Sequence, residues 1–303
     1  MSDKPVVGIV GVGLLGGAVA RVLLEAGYQI VAYDVAADRL AEIARRGARP
    51  VASAAEVARS AGPVFTLLPT LETLEQAITG GQGVLAGARG DTVVIQMSTI
   101  LPELAVRMGE AARARGAELL DAPVSGTSAM VARRDCAVTV AGDRPVFDRC
   151  RPVLEALARR VFYVGDRLGS GTYLKLATNL VMALNCVVVA EGMTLARRAG
   201  LDPGQMVEIL SHGAATSRML EVRGPLMAEH RFEPMSTVDL NVKDLRLILS
   251  AARGLHVPLP LTGVAQQLLI AAQAAGRSKE DLAAVVCVYE AMAGVDPAGG
   301  DAS

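Results

Sequence analysis

The chain has 303 residues, 51% of them apolar and 20% charged, and its charges nearly cancel at a net −1. That length suits about two domains, and the charge balance offers no electrostatic footprint for nucleic acid or an anionic membrane, so a small soluble partner is expected. With no Trp, four Phe and five Tyr, stacking platforms for single-stranded nucleic acid are excluded as well.

Met1-Ser2-Asp3-Lys4 leads directly into an apolar run at 6–10 without the charged start, long apolar stretch and cleavage site of a signal peptide, which predicts a first strand. Further short apolar runs stand at 30–33, 64–68, 93–96, 119–121, 137–141 and 161–164. Between them, 37–46, 101–115 and 144–158 carry charged residues at helical spacing and end near glycines. This βα alternation predicts an α/β fold, a doubly wound Rossmann sheet over residues 1–165. The pattern changes at the glycine-rich 165–171, which suits a domain junction. Beyond it the spacing predicts helices at 172–199, 203–211, 238–252, 261–275 and 279–292, an all-helical domain over 166–293. The tail 294–303 lacks large apolar anchors and is expected to be disordered.

The longest apolar stretch, 180–190, is interrupted by Asn185 and closed by Glu191. It falls short of the roughly 20 residues of a membrane span, so a buried helix and no membrane partner are expected. That helix is apolar nearly all round and requires cover on several sides, part of which a second copy can supply; a homo-oligomer through the helical domain is expected. Cys136, Cys150, Cys186 and Cys287 form no close pair, which places them as thiols in a reducing cytoplasm. His212, His230 and His256 share no helical spacing with one another or with a cysteine, so no metal site is expected.

Gly11-Val12-Gly13-Leu14-Leu15-Gly16 matches G-x-G-x-x-G directly after the first strand, where it opens a helix. In that context the first glycine permits the tight turn, the second lets backbone approach a pyrophosphate, and the third allows close packing of helix on strand. The helix N-terminus then faces the phosphates. Asp34 follows at the end of the second strand, 18 positions after Gly16. A carboxylate there accepts hydrogen bonds from an adenine-ribose diol and repels a 2′-phosphate, which points to NAD before NADP. Val35 and Ala36 supply no arginine beside it, and Arg39 stands too far along to offset it. The same aspartate could instead cap the next turn or helix.

Lys175 and Asn179 stand at i and i+4, on one face of the long helix. An isolated lysine is ordinarily a surface residue. Lys175, however, is followed by Leu176-Ala177 and then by an apolar run from Leu180, so a pocket is the better reading. To take a hydroxyl proton the amine must be neutral, against an ordinary lysine pKa of about 10.4. Desolvation and the positive charge of an oxidised nicotinamide would both favour that neutral form.

Together, the glycine fingerprint, Asp121-Ala122-Pro123-Val124-Ser125-Gly126, the Gly171-x-x-x-Lys175-x-x-x-Asn179 pattern and Lys243-Asp244-Leu245 resemble the four signature regions of the β-hydroxyacid dehydrogenases, in order, over nearly the whole chain. The resemblance implies reversible oxidation at the β-carbon of a small 3-hydroxy acid such as 3-hydroxyisobutyrate, threonate or glycerate, with Lys175 as general acid/base and Asn179 holding substrate and Lys175 in register. It implies that Ser125 and Gly126 bind the substrate carboxylate. Leu68, Pro69 and Thr99 would line the cofactor, Lys243 would close over its nicotinamide half, and paired subunits would share the helical layer.

The chain departs from the family where Thr127, Met130 and Arg134 replace glycines of the substrate loop. Thr127 still offers a hydroxyl and an N–H to the substrate, whereas Met130 and Arg133-Arg134 would either reshape the entrance or sit on the loop's outer face. Gln96 replaces an aspartate before Met97-Ser98-Thr99, a change that would act beneath the contacting residues. Thr216-Ser217-Arg218-Met219 with Arg223-Gly224-Pro225 is more similar to the threonate branch than to the isobutyrate branch. Two other readings compete: an imine reductase, against which Lys175 argues, and a catalytically silent dinucleotide-binding scaffold, against which intact Lys175 and Asn179 argue.

Overall fold

The structure, a computed structural model, describes residues 4–295, so the tail expectation lies outside the described residues from 296 onward. The chain forms two compact units, one running to Lys175 and the other starting at Leu176.

The first unit runs β1 (Val7–Val10), α1 (Leu14–Glu25), β2 (Ile30–Tyr33), α2 (Ala37–Arg45), β3 (Arg49–Pro50), α3 (Ala54–Ser60), β4 (Pro63–Thr66), α4 (Leu71–Thr79) and β5 (Val93–Gln96). It continues through α5 (Pro102–Arg113), β6 (Glu118–Asp121), β7 (Val124–Ser125), α6 (Ser128–Ala132), β8 (Ala137–Val140), α7 (Arg144–Leu157) and β9 (Arg160–Tyr163). Six strands form a sheet in the order β3-β2-β1-β4-β5-β6, and its pairs are parallel. The order reverses between β1 and β4, the switch point at which a doubly wound fold opens its ligand crevice. Alternate residues of one strand serve two cores: Val93 and Ile95 join the cluster with Val19 and Leu23 of α1, while Val94 joins that with Val57 of α3 and Leu104 of α5. Burial on both faces is why these strands read as continuous apolar runs.

The runs at 137–141 and 161–164 do not extend that sheet as the alternation predicts. They form β8 and β9 of a separate three-stranded sheet, β7-β8-β9, in which β7 is antiparallel to β8. The two sheets meet at one antiparallel bridge, Asp121 with Ala141. The two-residue strands β3 and β7 are too short for any periodicity to reveal.

The helix α8 (Ser170–Arg198) leads into α9 (Pro203–Ser211), α10 (Arg218–Ala228), α11 (Val238–Gly254), α12 (Pro260–Ala274) and α13 (Val286–Ala293). Described residues of the second unit contribute only an isolated bridge, Thr237 with Asp281, to β structure. At 29 residues and a mean hydropathy of 1.6 over its most apolar window, α8 is long and apolar enough to cross a membrane by length and composition. It buries Leu176, Ala183, Cys186, Ala190 and Met193, as a core helix does. The helix expected at 279–292 starts later, at Val286, after a 3₁₀ turn at Leu282–Val285. Buried Asp281 determines this: Oδ1 accepts the Ala283 N–H at 3.0 Å and Arg223 Nε at 2.7 Å, while Oδ2 accepts the N–H groups of Met235 and Ser236.

Folding also gathers His230, Cys287 and Glu290, with ligand-type atoms within 4.8 Å of one another, although their sequence spacing gives no hint of it. Arg197 Nε lies 3.4 Å from Glu290 Oε1, and Arg197 Nη2 lies 3.4 Å from His230 Nδ1. Arg197 Nη2 donates to the carbonyls of Met227 and Ala228 at 3.2 and 2.8 Å, and His230 Nε2 lies 2.8 Å from Glu290 Oε2. The cluster is a tie between α8, the end of α10 and α13.

Candidate active site

The fingerprint is shaped by what its glycines lack. Gly11 has φ +90°, and a Cβ there would stand 2.4 Å from the Leu67 carbonyl oxygen. A Cβ on Gly16 would stand 1.9 Å from the Gly11 carbonyl oxygen, so α1 can start this close to the turn only with glycine. Gly13 is the N-cap of α1 and provides no side chain to its N–H groups; the first turn, with Leu14 and Leu15, carries no acidic residue. That end is arranged for an anion.

Asp34 reaches this loop: Oδ2 accepts the Val12 N–H at 2.7 Å and Oδ1 the Ala36 N–H at 2.8 Å. It therefore braces the fingerprint while standing where a ribose is expected. Arg39 departs from expectation. Its Nη1 would lie 3.1 Å from a Cβ on Gly13, which sets a guanidinium beside the glycine loop. Five residues of separation from Asp34 had concealed this, because α2 starts at Ala37 and its first turn points Arg39 back toward the loop.

Leu68 comes to the same place, its Cδ2 2.9 Å from a Cβ on Gly11 and its N–H donating to Ser98 Oγ at 2.9 Å. Pro69 is exposed and Thr99 half-buried, each on the segment after β4 or β5. Gln96 is fully buried and grips Ser98 twice: its Oε1 accepts the Ser98 N–H and its Nε2 donates to the Ser98 carbonyl. The amide thus shapes the Ser98-Thr99 turn from beneath.

In the substrate loop Ser125 ends β7, and Gly126 has φ +152° with a would-be Cβ 2.9 Å from Cys136 Cβ. Thr127 is the N-cap of α6, its Oγ1 accepting the Met130 N–H at 3.3 Å. Arg134 turns outward with φ +58° and donates to the Glu155 carbonyl at 2.9 Å, on the outer face of the loop.

Lys175 is half-buried, on the second turn of α8. The start of that helix is held by a residue missed among the expected site groups. Asp121 is fully buried and accepts the Gly169 N–H at 3.1 Å, the Thr172 N–H at 2.8 Å and the Thr172 hydroxyl at 2.7 Å. Burial pushes its carboxyl up, and the bonds from Thr172, Gly169 and Gly171 oppose that rise. An aspartate ending an apolar strand, after Leu119-Leu120, was the available signal. In the second unit Asn179 donates to Asp244 Oδ2 at 2.7 Å, and Lys243 Nζ lies 3.1 Å from Asp244 Oδ1. Asp244 thus meets both Asn179 and Lys243, a role that its place beside Lys243 in the sequence does not reveal.

The NAD binding domain of 6-phosphogluconate dehydrogenase matches residues 6–165, and the NAD-binding domain of NADP-dependent 3-hydroxyisobutyrate dehydrogenase matches 169–289. An L-threonate dehydrogenase of Cupriavidus necator is 33% identical over 283 residues, covering 93% of this chain and 95% of its own. The chain belongs to the β-hydroxyacid dehydrogenase family. It is an oxidoreductase with an NAD(P)-binding Rossmann domain. Other members of the family include a 2-(hydroxymethyl)glutarate dehydrogenase of Eubacterium barkeri, 32% identical over 97% of this chain and 98% of its own. Among solved structures, a 3-hydroxyisobutyrate dehydrogenase from Salmonella typhimurium superposes with a TM-score of 0.84 at 33% identity, covering 94% of this chain and 100% of that one. Imine reductases at 17–19% identity share the fold alone.

Proposed function

We propose that this β-hydroxyacid dehydrogenase oxidises the β-hydroxyl of a small 3-hydroxy carboxylic acid of the 3-hydroxyisobutyrate, threonate or glycerate type, with NAD as cofactor and Lys175 as general acid/base. The observation that carries the reading is the course of the chain at Asp121. This residue holds the first turn of the lysine's helix, and the strand carrying it leads within four residues to Ser125 and Gly126.

Ser125 and Gly126 bind the substrate carboxylate through the hydroxyl and backbone N–H. Lys175 Nζ takes the hydroxyl proton as the C–O bond becomes C=O; in the reverse direction it returns that proton. NAD, when bound, accepts the hydride from C3. Holding the carboxylate fixes the distance from C3 to the reacting groups, and such positioning supplies much of the rate. The fingerprint fits the cofactor: a side chain at Gly11 or Gly16 would fill the turn, and the N–H groups at the start of α1 meet no side-chain cap. Asp34 favours a ribose diol and so NAD, and Arg39 leaves NADP as a weaker second cofactor. Thr127 contributes its backbone to the substrate loop and its hydroxyl to α6. Leu68, Pro69 and Thr99 line the cofactor, and the parts that the resemblance implies for Asn179 and Lys243 belong to the same reading.

We also place the enzyme in the cytoplasm, as a homo-oligomer through its helical domain. Val181, Val188 and Leu195 recur every seven residues along α8 with 55%, 63% and 74% exposure, an apolar stripe suited to a second copy. Light scattering would show a mass of two or more chains; a monomer at micromolar concentration would refute this.

The deciding experiment follows NAD and NADP reduction by the wild type and Lys175→Ala over 3-hydroxyisobutyrate, threonate, glycerate and serine. Turnover with NAD that Lys175→Ala abolishes supports the reading and names the substrate. No turnover on any acid, with NAD binding intact, overturns it.

A further inference from the structure

We infer that Asp121 is a positioning residue, whose buried carboxylate sets the place of Lys175 relative to the Ser125-Gly126 strand. The inference rests on the reading of Lys175 as the acid/base.

Asp121 ends β6, the edge of the parallel sheet, and is anchored there on both sides. Its N–H and carbonyl exchange hydrogen bonds of 2.9 Å with Ala141, while the next residue, Ala122, donates to the Gln96 carbonyl at 2.8 Å. The chain reaches Ser125 four residues later, so the carboxylate and the substrate loop share one rigid base. From that base the side chain reaches across 51 residues of sequence to Thr172.

Three bonds then fix the helix. Thr172 supplies its N–H and its hydroxyl from one residue, and Gly169 supplies an N–H from the segment before the helix. Bonds from two separated points on the chain restrain rotation as well as translation. Thr172 and Lys175 stand at i and i+3, neighbours on one helix face about 4.5 Å apart along the axis. The fit is close, since a Cβ on Gly171 would come within 2.6 Å of the Asp121 carbonyl oxygen and 3.1 Å of the Thr139 carbonyl oxygen.

Simple capping does not account for the arrangement. A helix end is ordinarily capped by a Ser, Thr, Asp or Asn immediately before it, as Ser53, Asp143, Asp202 and Ser217 cap α3, α7, α9 and α10. Burying a carboxylate from a distant strand carries a desolvation cost that such a local cap avoids. What the distant residue adds is registration between two parts of the reaction site. A misplacement of about 1 Å can cost on the order of 100-fold in rate.

The test compares Asp121→Asn, Thr172→Val and Thr172→Ser with the wild type, and uses Val153→Ala in α7 as a control for lost stability alone. Asp121→Asn and Thr172→Val should lower kcat about 10- to 100-fold, keep NAD affinity, and displace the limb of the kcat–pH profile that Lys175→Ala abolishes. Thr172→Ser, which retains the hydroxyl, should restore most of the rate, and Val153→Ala should leave kcat and profile unchanged. If Asp121→Asn does not fold, the Thr172 pair decides. Wild-type kcat and profile in Thr172→Val, or an equal loss in Val153→Ala, would overturn the inference. Failure of the underlying reading shows separately, as turnover retained by Lys175→Ala, and would remove this inference with it.

Discussion

The two units treat charge in opposite ways. In the first, the fingerprint provides for an anion with backbone N–H groups and with the empty space left by glycine side chains at Gly11, Gly13 and Gly16. In the second, opposite charges are buried together in pairs: Arg223 with Asp281, and Arg197 with Glu290, which His230 also approaches. A site built on missing atoms fails when atoms are added. A framework built on paired charges fails when one of them is removed.

Lys175, the last residue of the first unit, falls under neither rule, and its loss should be the largest effect on activity. Lys175→Ala should lower kcat by about 10²- to 10⁴-fold, the range for a general acid/base, while calorimetry shows NAD still binding. Next, Arg223→Ala strands a fully buried carboxylate and should lower stability by about 3–5 kcal/mol, read from urea unfolding. An equal loss of cofactor affinity in that variant would blur the contrast between the units. Gly16→Ala should do the reverse, weakening NAD binding by at least about tenfold, on the order of 1.4 kcal/mol, through the 1.9 Å clash with the Gly11 carbonyl oxygen.

A smaller effect sharpens the cofactor end. Arg39→Ala should lower NADP turnover relative to NAD by about three- to fivefold, on the order of 1 kcal/mol for an ion pair near the surface, and Asp34→Ala should move the ratio the other way. Steady-state kinetics with both cofactors would check the pair. A pH effect is expected from the thiols. Burial pushes Cys150 up to about 11 and Cys186 up to about 12. Both should resist alkylation at pH 8 until the chain unfolds. In the unfolded chain a thiol ionises near about 8.5, so protons bind more tightly in the fold. The stability these thiols contribute is full below that pH and declines as pH rises toward 11 and 12. Urea midpoints at pH 8 and pH 10 should show the decline.

Legibility followed the range of the forces involved. The strands at 30–33 and 93–96 and the helix at 203–211 were readable because a single segment carries both the apolar pattern and its end signals. Helices α3, α4, α6 and α10 were missed, being short or having charges and a proline, Pro225, that interrupt the pattern. At the site, the i and i+4 spacing of Lys175 and Asn179 was legible as one helical face, whereas the bond from the Met130 N–H to the Thr127 hydroxyl at the start of α6 was not, because such a hydroxyl can serve a ligand or a helix end. Arg39 was discounted by its distance in sequence, and only the turn between β2 and α2 shows it beside Gly13.

By itself, the order of residues determined the βα alternation, the glycine turn and the helical face that carries Lys175, because steric limits on the backbone and hydrophobic periodicity act within a few residues. Only the tertiary structure decided which distant groups meet: Asp121 with Thr172, Asp244 with Asn179, Arg223 with Asp281, and β8 with a second sheet. These partners lie 51 to 65 residues apart. Burial favours a partner for a polar group, but which one it finds depends on how the whole chain packs.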